Sequence, residues 1–152
     1  MKSKNNQNVG TILIKSTRHR DNCGYVGETY SGLRCSERRI NVEFVRDNHL
    51  LSHMVGALRG LHFQTLPHVQ GKMVRCGRWA IFDFAMDIRR GSTTYRQWED
   101  EELPAENGHQ LYVPLALAWR KKVGYQYSRP VYGPKVAFML CDFAQVVRIA
   151  TR

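Results

Sequence analysis

Short β-rich runs, each ended by glycine, proline or asparagine, recur from Ile40 onward, and no other feature constrains the fold as tightly. Val42-Glu43-Phe44-Val45 is followed by Asp47-Asn48-His49, which reads as a turn or bulge. Ala57 to Gln64, Lys72 to Cys76 and Trp79 to Asp87 read as strands, then Thr93 to Trp98 and Gln110 to Pro114. Tyr125-Gln126-Tyr127, Lys135 to Leu140 and Gln145 to Ile149 complete the set. Near-regular spacing of this kind predicts an all-β sandwich or barrel. Ahead of Ile40, Thr11 to Lys15 and Tyr25 to Tyr30 are strand candidates around turn chemistry at Asp21 to Gly24. Ser31 to Arg39 suits one short helix, with Ser31 or Ser36 as its cap.

The 152 residues fit one domain over 1–152, with residues 1–10 as a frayed polar tail. No apolar run approaches a membrane span, and the first residues lead into no signal-peptide core, so a cytoplasmic protein with no membrane partner is expected. Cys23, Cys35, Cys76 and Cys141 stand far apart, which suits free thiols, three of them core fillers, and lacks the paired spacing of a zinc site. A formal net charge of +10 implies an anionic partner. The basic residues are scattered and form no long run or helical stripe, so nucleic-acid binding from charge alone is a weak reading.

The chemistry concentrates in Gly56-Ala57-Leu58-Arg59-Gly60-Leu61-His62-Phe63-Gln64, with Gln70-Gly71-Lys72 close behind. Leu58, Leu61 and Phe63 would bury the segment on an inward strand. An imidazole between the cations Arg59 and Lys72 suits an anionic substrate that must lose a proton. The plainer alternative for His62 is a core histidine satisfied by a backbone carbonyl. A metal site would need converging histidines and a carboxylate, whereas Gln64 and His68 follow His62 without one, and His49 and His53 read as loop. Asp83 and Asp87, four apart on one strand, face the same side, and a surface position is the default for each. Asp142 is a third carboxylate able to orient His62, and one tyrosine among Tyr125, Tyr127 and Tyr132 suits a general acid.

Those runs, with Phe44-Val45-Arg46-Asp47-Asn48-His49, Met73-Val74-Arg75 and Ile81 to Tyr95, resemble the dTDP-4-dehydrorhamnose 3,5-epimerase family. Asp21 to Tyr30 is similar to its N-terminal motif, and the likeness is good over residues 11 to 114. The resemblance implies a cupin jelly-roll barrel without metal or other cofactor, assembled as a strand-exchanged homodimer. It implies epimerisation next to the 4-keto group of a dTDP-4-keto-6-deoxyhexose or related nucleotide-diphosphate sugar, for surface polysaccharide synthesis. His62 falls on the family's base, Lys72 on its enolate-stabilising lysine, Asp142 on the base's partner and Tyr125, or else Tyr127, on the proton donor. Arg59, Glu28, Asn48 and Tyr132 fall on substrate-contacting positions.

The chain also departs from that pattern. Cys23 replaces an arginine that clamps phosphate, Val26 an aromatic residue, Arg46 a glutamine and Trp119 a histidine. The alternative to an epimerase is therefore a catalytically degenerate cupin that binds a sugar nucleotide or serves a structural role.

Overall fold

Two sheets bury one face of each central strand against one another, and the five-stranded sheet is covered on its outer face as well. The computed structural model describes residues 9–54, 56–115, 117–123 and 143–151. Its elements are β1 (Ile12–Ile14), β2 (Arg18–Asp21), β3 (Gly24–Gly27), α1 (Gly32–Glu37), β4 (Phe44–Ser52), β5 (Leu58–His62), β6 (Gln70–Cys76), β7 (Ala80–Asp87), β8 (Trp98–Pro104), β9 (Gln110–Val113), β10 (Leu117–Val123) and β11 (Phe143–Thr151). One sheet runs β1-β9-β6-β11-β4, the other β5-β10-β7-β8, and β2-β3 forms a separate hairpin. The result is the expected all-β jelly-roll barrel with one short helix.

Val74, Cys76, Leu111, Val113, Val147 and Ile149 of the five-stranded sheet meet Ile81, Ala85, Leu103 and Leu117 of the other. Each fully buried aliphatic side chain here contributes about 1.5–3 kcal/mol. The outer face of the five-stranded sheet carries a second core of Ile14, Met73 and Tyr112, covered by Cys35 and Ile40. Ser31 caps α1 by accepting a hydrogen bond from the Arg34 amide, so the first of the two proposed caps is the one used.

Three local expectations fail. Asp47-Asn48-His49 is neither turn nor loop, because β4 runs straight through it and pairs with β11 along its length. The irregularity lies at Val45, between the pairs Ile149–Arg46 and Ala150–Phe44. Ladder pairing and the forked ion pair of Asp47 with Arg148, at 2.7 and 2.9 Å, outweigh the turn preference of Asp and Asn. Residues 93–97 are turns rather than a strand, since Asp87 draws the Thr94 hydroxyl and the Arg89 guanidinium onto itself. The acidic run after Trp98 is β8, an edge strand where charge guards against unwanted pairing. The predicted strands at 125–127 and 135–140 lie outside the described residues.

Candidate active site

Residues directly opposite one another in an antiparallel ladder share a face. Arg59, Lys121, Asp83 and Glu101 form one such row across the four-stranded sheet. His62, Trp119, Ala85 and Glu99 form the next. Asp83 and Ala85 are both fully buried, so Arg59 and His62, which share their rows, face the barrel's inner side. His62 and Arg59 therefore enter that face from its edge strand, β5, where they remain open to solvent at the barrel mouth.

Lys72 reaches the same interior from the opposite sheet. It pairs in register with Val113 and Ile149, and only 6% of its surface is exposed. Its ammonium donates to Gln64 Oε1 at 3.0 Å, and Gln64 in turn donates from Nε2 to Gln70 Oε1 at 3.1 Å. Burial pushes the Lys72 pKa below the usual lysine value, while the negative charge of Asp83 across the barrel works the other way. A buried cation, one carboxylate facing it from the other sheet and an amide chain tying it to the loop after β5 make up the polar heart of the interior. Arg59 Nε donates to Ser52 Oγ at 3.2 Å, joining β5 to β4 across the seam between the sheets.

Two sequence expectations need correction. Leu58, Leu61 and Phe63 do not bury their segment, and each is about half exposed, because β5 is a sheet edge. Asp83 and Asp87 do share a side, but neither is at the surface, both being 0% exposed. Their neighbours two residues away, Ile81 and Ala85, carried the missed signal, since same-face positions flanked by such residues are interior. Ser52 is a contributor not singled out from sequence, and Gln64 and Gln70 stood in the motif without a role assigned to them. Amide and hydroxyl side chains carry no formal charge and leave little trace in a motif search.

Asn48 lies on the inner face of β4, opposite Val147. Glu28 does not join this group within the chain. It lies beyond the opposite face of the five-stranded sheet, ion-paired with Arg34 at 3.1 Å, in a cleft also lined by Lys15, Arg38, Met73 and Gln110. Cys23 is exposed at the β2-β3 turn, its amide donating to Asp21 Oδ1. Asp142, Tyr125, Tyr127, Tyr132 and Cys141 lie outside the described residues.

Fold and mouth together define a cupin-type jelly roll whose interior is furnished with ionisable groups as well as hydrocarbon. A family model described as dTDP-4-dehydrorhamnose 3,5-epimerase matches residues 7–129, and the chain belongs to that family. A dTDP-4-dehydrorhamnose 3,5-epimerase of Sinorhizobium fredii is 45% identical over 106 residues, 70% of this chain and 54% of the relative. One from Methanothermobacter thermautotrophicus is 40% identical over 109 residues, 72% of this chain and 58% of its own. The chain thus spans little more than half the length of these relatives. A crystal structure of the Bacillus anthracis epimerase with TDP and pyrophosphate bound superposes with a TM-score of 0.81 at 25% identity, covering 99% of this chain and 78% of that one. The Legionella pneumophila enzyme in complex with dTDP-4-keto-L-rhamnose gives 0.76 at 28% identity, covering 93% and 67%.

Proposed function

We propose that the protein is a nucleotide-sugar epimerase that removes and returns protons beside the 4-keto group of a dTDP-4-keto-6-deoxyhexose or a related sugar nucleotide. The observation that carries this reading is the buried ammonium of Lys72, held by Gln64 and faced by Asp83, in the interior whose mouth presents His62. A proton beside a ketone is hard to remove because the electrons left behind must settle on the carbonyl oxygen. A preorganised cation in a water-poor site lowers that cost, typically by several kcal/mol. His62 accepts the proton, Lys72 meets the developing enolate oxygen and Arg59 holds the anionic substrate. Asp142 orients His62 and Tyr125 returns a proton from the other face, roles that rest on the family resemblance. Asn48, Glu28 and Tyr132 complete the substrate contacts, and no resident cofactor is required.

Glu28 lies away from Lys72 within one chain, which supports a homodimer in which a second copy brings its hairpin to the site. The inner core shared by both large sheets supports a single cupin domain over 1–152. Free thiols at Cys23, Cys35 and Cys76 suit the reducing cytoplasm. The test is solvent deuterium incorporation at C3 and C5 of dTDP-4-keto-6-deoxyglucose, followed by NMR. The wild type is expected to exchange and His62→Ala to stop. If the wild type binds sugar nucleotides, seen as a raised melting temperature, but exchanges with none of a panel, the protein is a non-catalytic cupin.

A further inference from the structure

The mouth holds one more cation that the reading above leaves without work. Arg46 pairs in register with Ile149, and Ile149 pairs with Lys72, so Arg46, Ile149, Lys72 and Val113 form one row. Lys72, Ile149 and Val113 of that row are buried, which places Arg46 on the inner face of the sheet at its outermost strand. Three local features fix this direction. The irregularity at Val45 separates Arg46 from Phe44, which packs on the outer core. Asp47, the next residue, is turned to the outer face by its forked pair with Arg148, whose guanidinium lies 4.1 Å from the centre of the Tyr30 ring. Asn48 then returns to the inner face beside Val147.

Unlike Arg34, Arg89 and Arg148, Arg46 has no ion pair among the described residues, and it is exposed to solvent. The Arg46 and Lys72 backbones lie two strand spacings, about 10 Å, apart on one face, and a cation from each suits the two ends of a hexose diphosphate. The ring carbonyl occupies one end of such a ligand and the phosphates on the anomeric carbon the other.

We infer that Arg46 is a specificity-determining residue that grips the diphosphate of the substrate while Lys72 meets its keto oxygen. The inference rests on the nucleotide-sugar reading and adds to it the residue that selects for phosphate. The guanidinium donates its N–H groups to phosphate oxygens, so its contribution falls on binding and not on proton transfer.

Titration calorimetry with thymidine 5′-diphosphate, thymidine 5′-monophosphate and thymidine on the full chain tests it. Arg46→Gln is expected to weaken diphosphate binding about tenfold while leaving thymidine unchanged, and Arg46→Lys to fall between. Arg90→Gln, which removes an exposed charge from the loop after β7 on the other sheet, controls for the general field and is expected to bind as the wild type does. Far-ultraviolet circular dichroism checks that each variant is folded. Equal diphosphate affinity in wild type and Arg46→Gln overturns the inference while the nucleotide reading stands. An equal loss in Arg90→Gln overturns it in favour of unspecific charge. Failure of the wild type to bind the diphosphate overturns both.

Discussion

Strand β7 carries two aspartates on the same face, four residues apart and equally buried, and they serve opposite ends. Asp87 is closed in by its own neighbourhood. The Arg89 backbone amide, Nε and Nη2 and the Thr94 hydroxyl all donate to it, between 2.6 and 2.9 Å. Arg89 Nη2 also reaches the carbonyl of Val9, tying the loop to the start of the chain. Asp83 instead looks across the barrel at Lys72 on the other sheet. One carboxylate therefore organises a loop of turns, while the other shapes the field around a cation in the cavity. Burial alone does not distinguish a structural carboxylate from a functional one. The two differ in where their partners come from, local donors closing in Asp87 and a charge on the facing sheet meeting Asp83.

The contrast is sharpened most by removing Asp87. Asp87→Ala strands the Arg89 guanidinium and Thr94, and is expected to cost about 3 kcal/mol in urea unfolding. The pH dependence follows from the Arg89 guanidinium, foremost, and the hydroxyl and amide donors, which hold the Asp87 carboxyl well below the usual carboxylate range. A carboxyl lowered in the folded state stabilises above its unfolded pKa, and that stabilisation fades as acid protonates it. The gap between wild type and Asp87→Asn should thus stay constant from pH 7 to about 4 and close below it.

Asp83→Asn comes next and reverses the pattern. It is expected to lower turnover about tenfold with a far smaller effect on unfolding. Removing the charge that opposes the effect of burial also lets the Lys72 pKa fall further, so the alkaline limb of the activity profile should move to lower pH. If Asp83→Asn unfolds the protein as Asp87→Ala does, the distinction between the two carboxylates is lost.

Smaller effects test the frame alone. Ser31→Ala removes the α1 cap and should cost about 1 kcal/mol in thermal melts. Asp47→Asn breaks a half-exposed pair with Arg148, for which about 0.5 kcal/mol is the expected scale, read from the urea midpoint at low and high salt.

Fold class was legible in the sequence because short β-rich runs recur at near-regular spacing between turn residues, a pattern that survives in any β-sheet context. The short helix was legible too, since Ser31 precedes it with the right capping chemistry. What misled were segments governed by distant partners. Asp47-Asn48-His49 has turn composition but a complete ladder partner in β11, about a hundred residues on. The acidic run of β8 has little strand propensity, yet β7 supplies its register. At the candidate site, His62, Lys72 and Arg59 announced themselves as ionisable residues in a recognisable motif. The interior position of Asp83 and the solvent exposure of Leu61 depend on which strand forms the sheet edge, and composition does not record that.

The central claim is that Lys72 is buried for chemistry and not for stability. Lys72→Met alone takes away the cation that the buried Asp83 carboxylate faces and should lower the melting temperature, whereas Lys72→Met combined with Asp83→Asn removes both charges and should melt close to the wild type. The decisive measurement is deuterium incorporation into dTDP-4-keto-6-deoxyglucose by Lys72→Met, alongside its melting curve. The account predicts an intact fold with exchange reduced at least a hundredfold, on the order of losing one preorganised donor to a developing oxyanion. Exchange at the wild-type rate by folded Lys72→Met would contradict it.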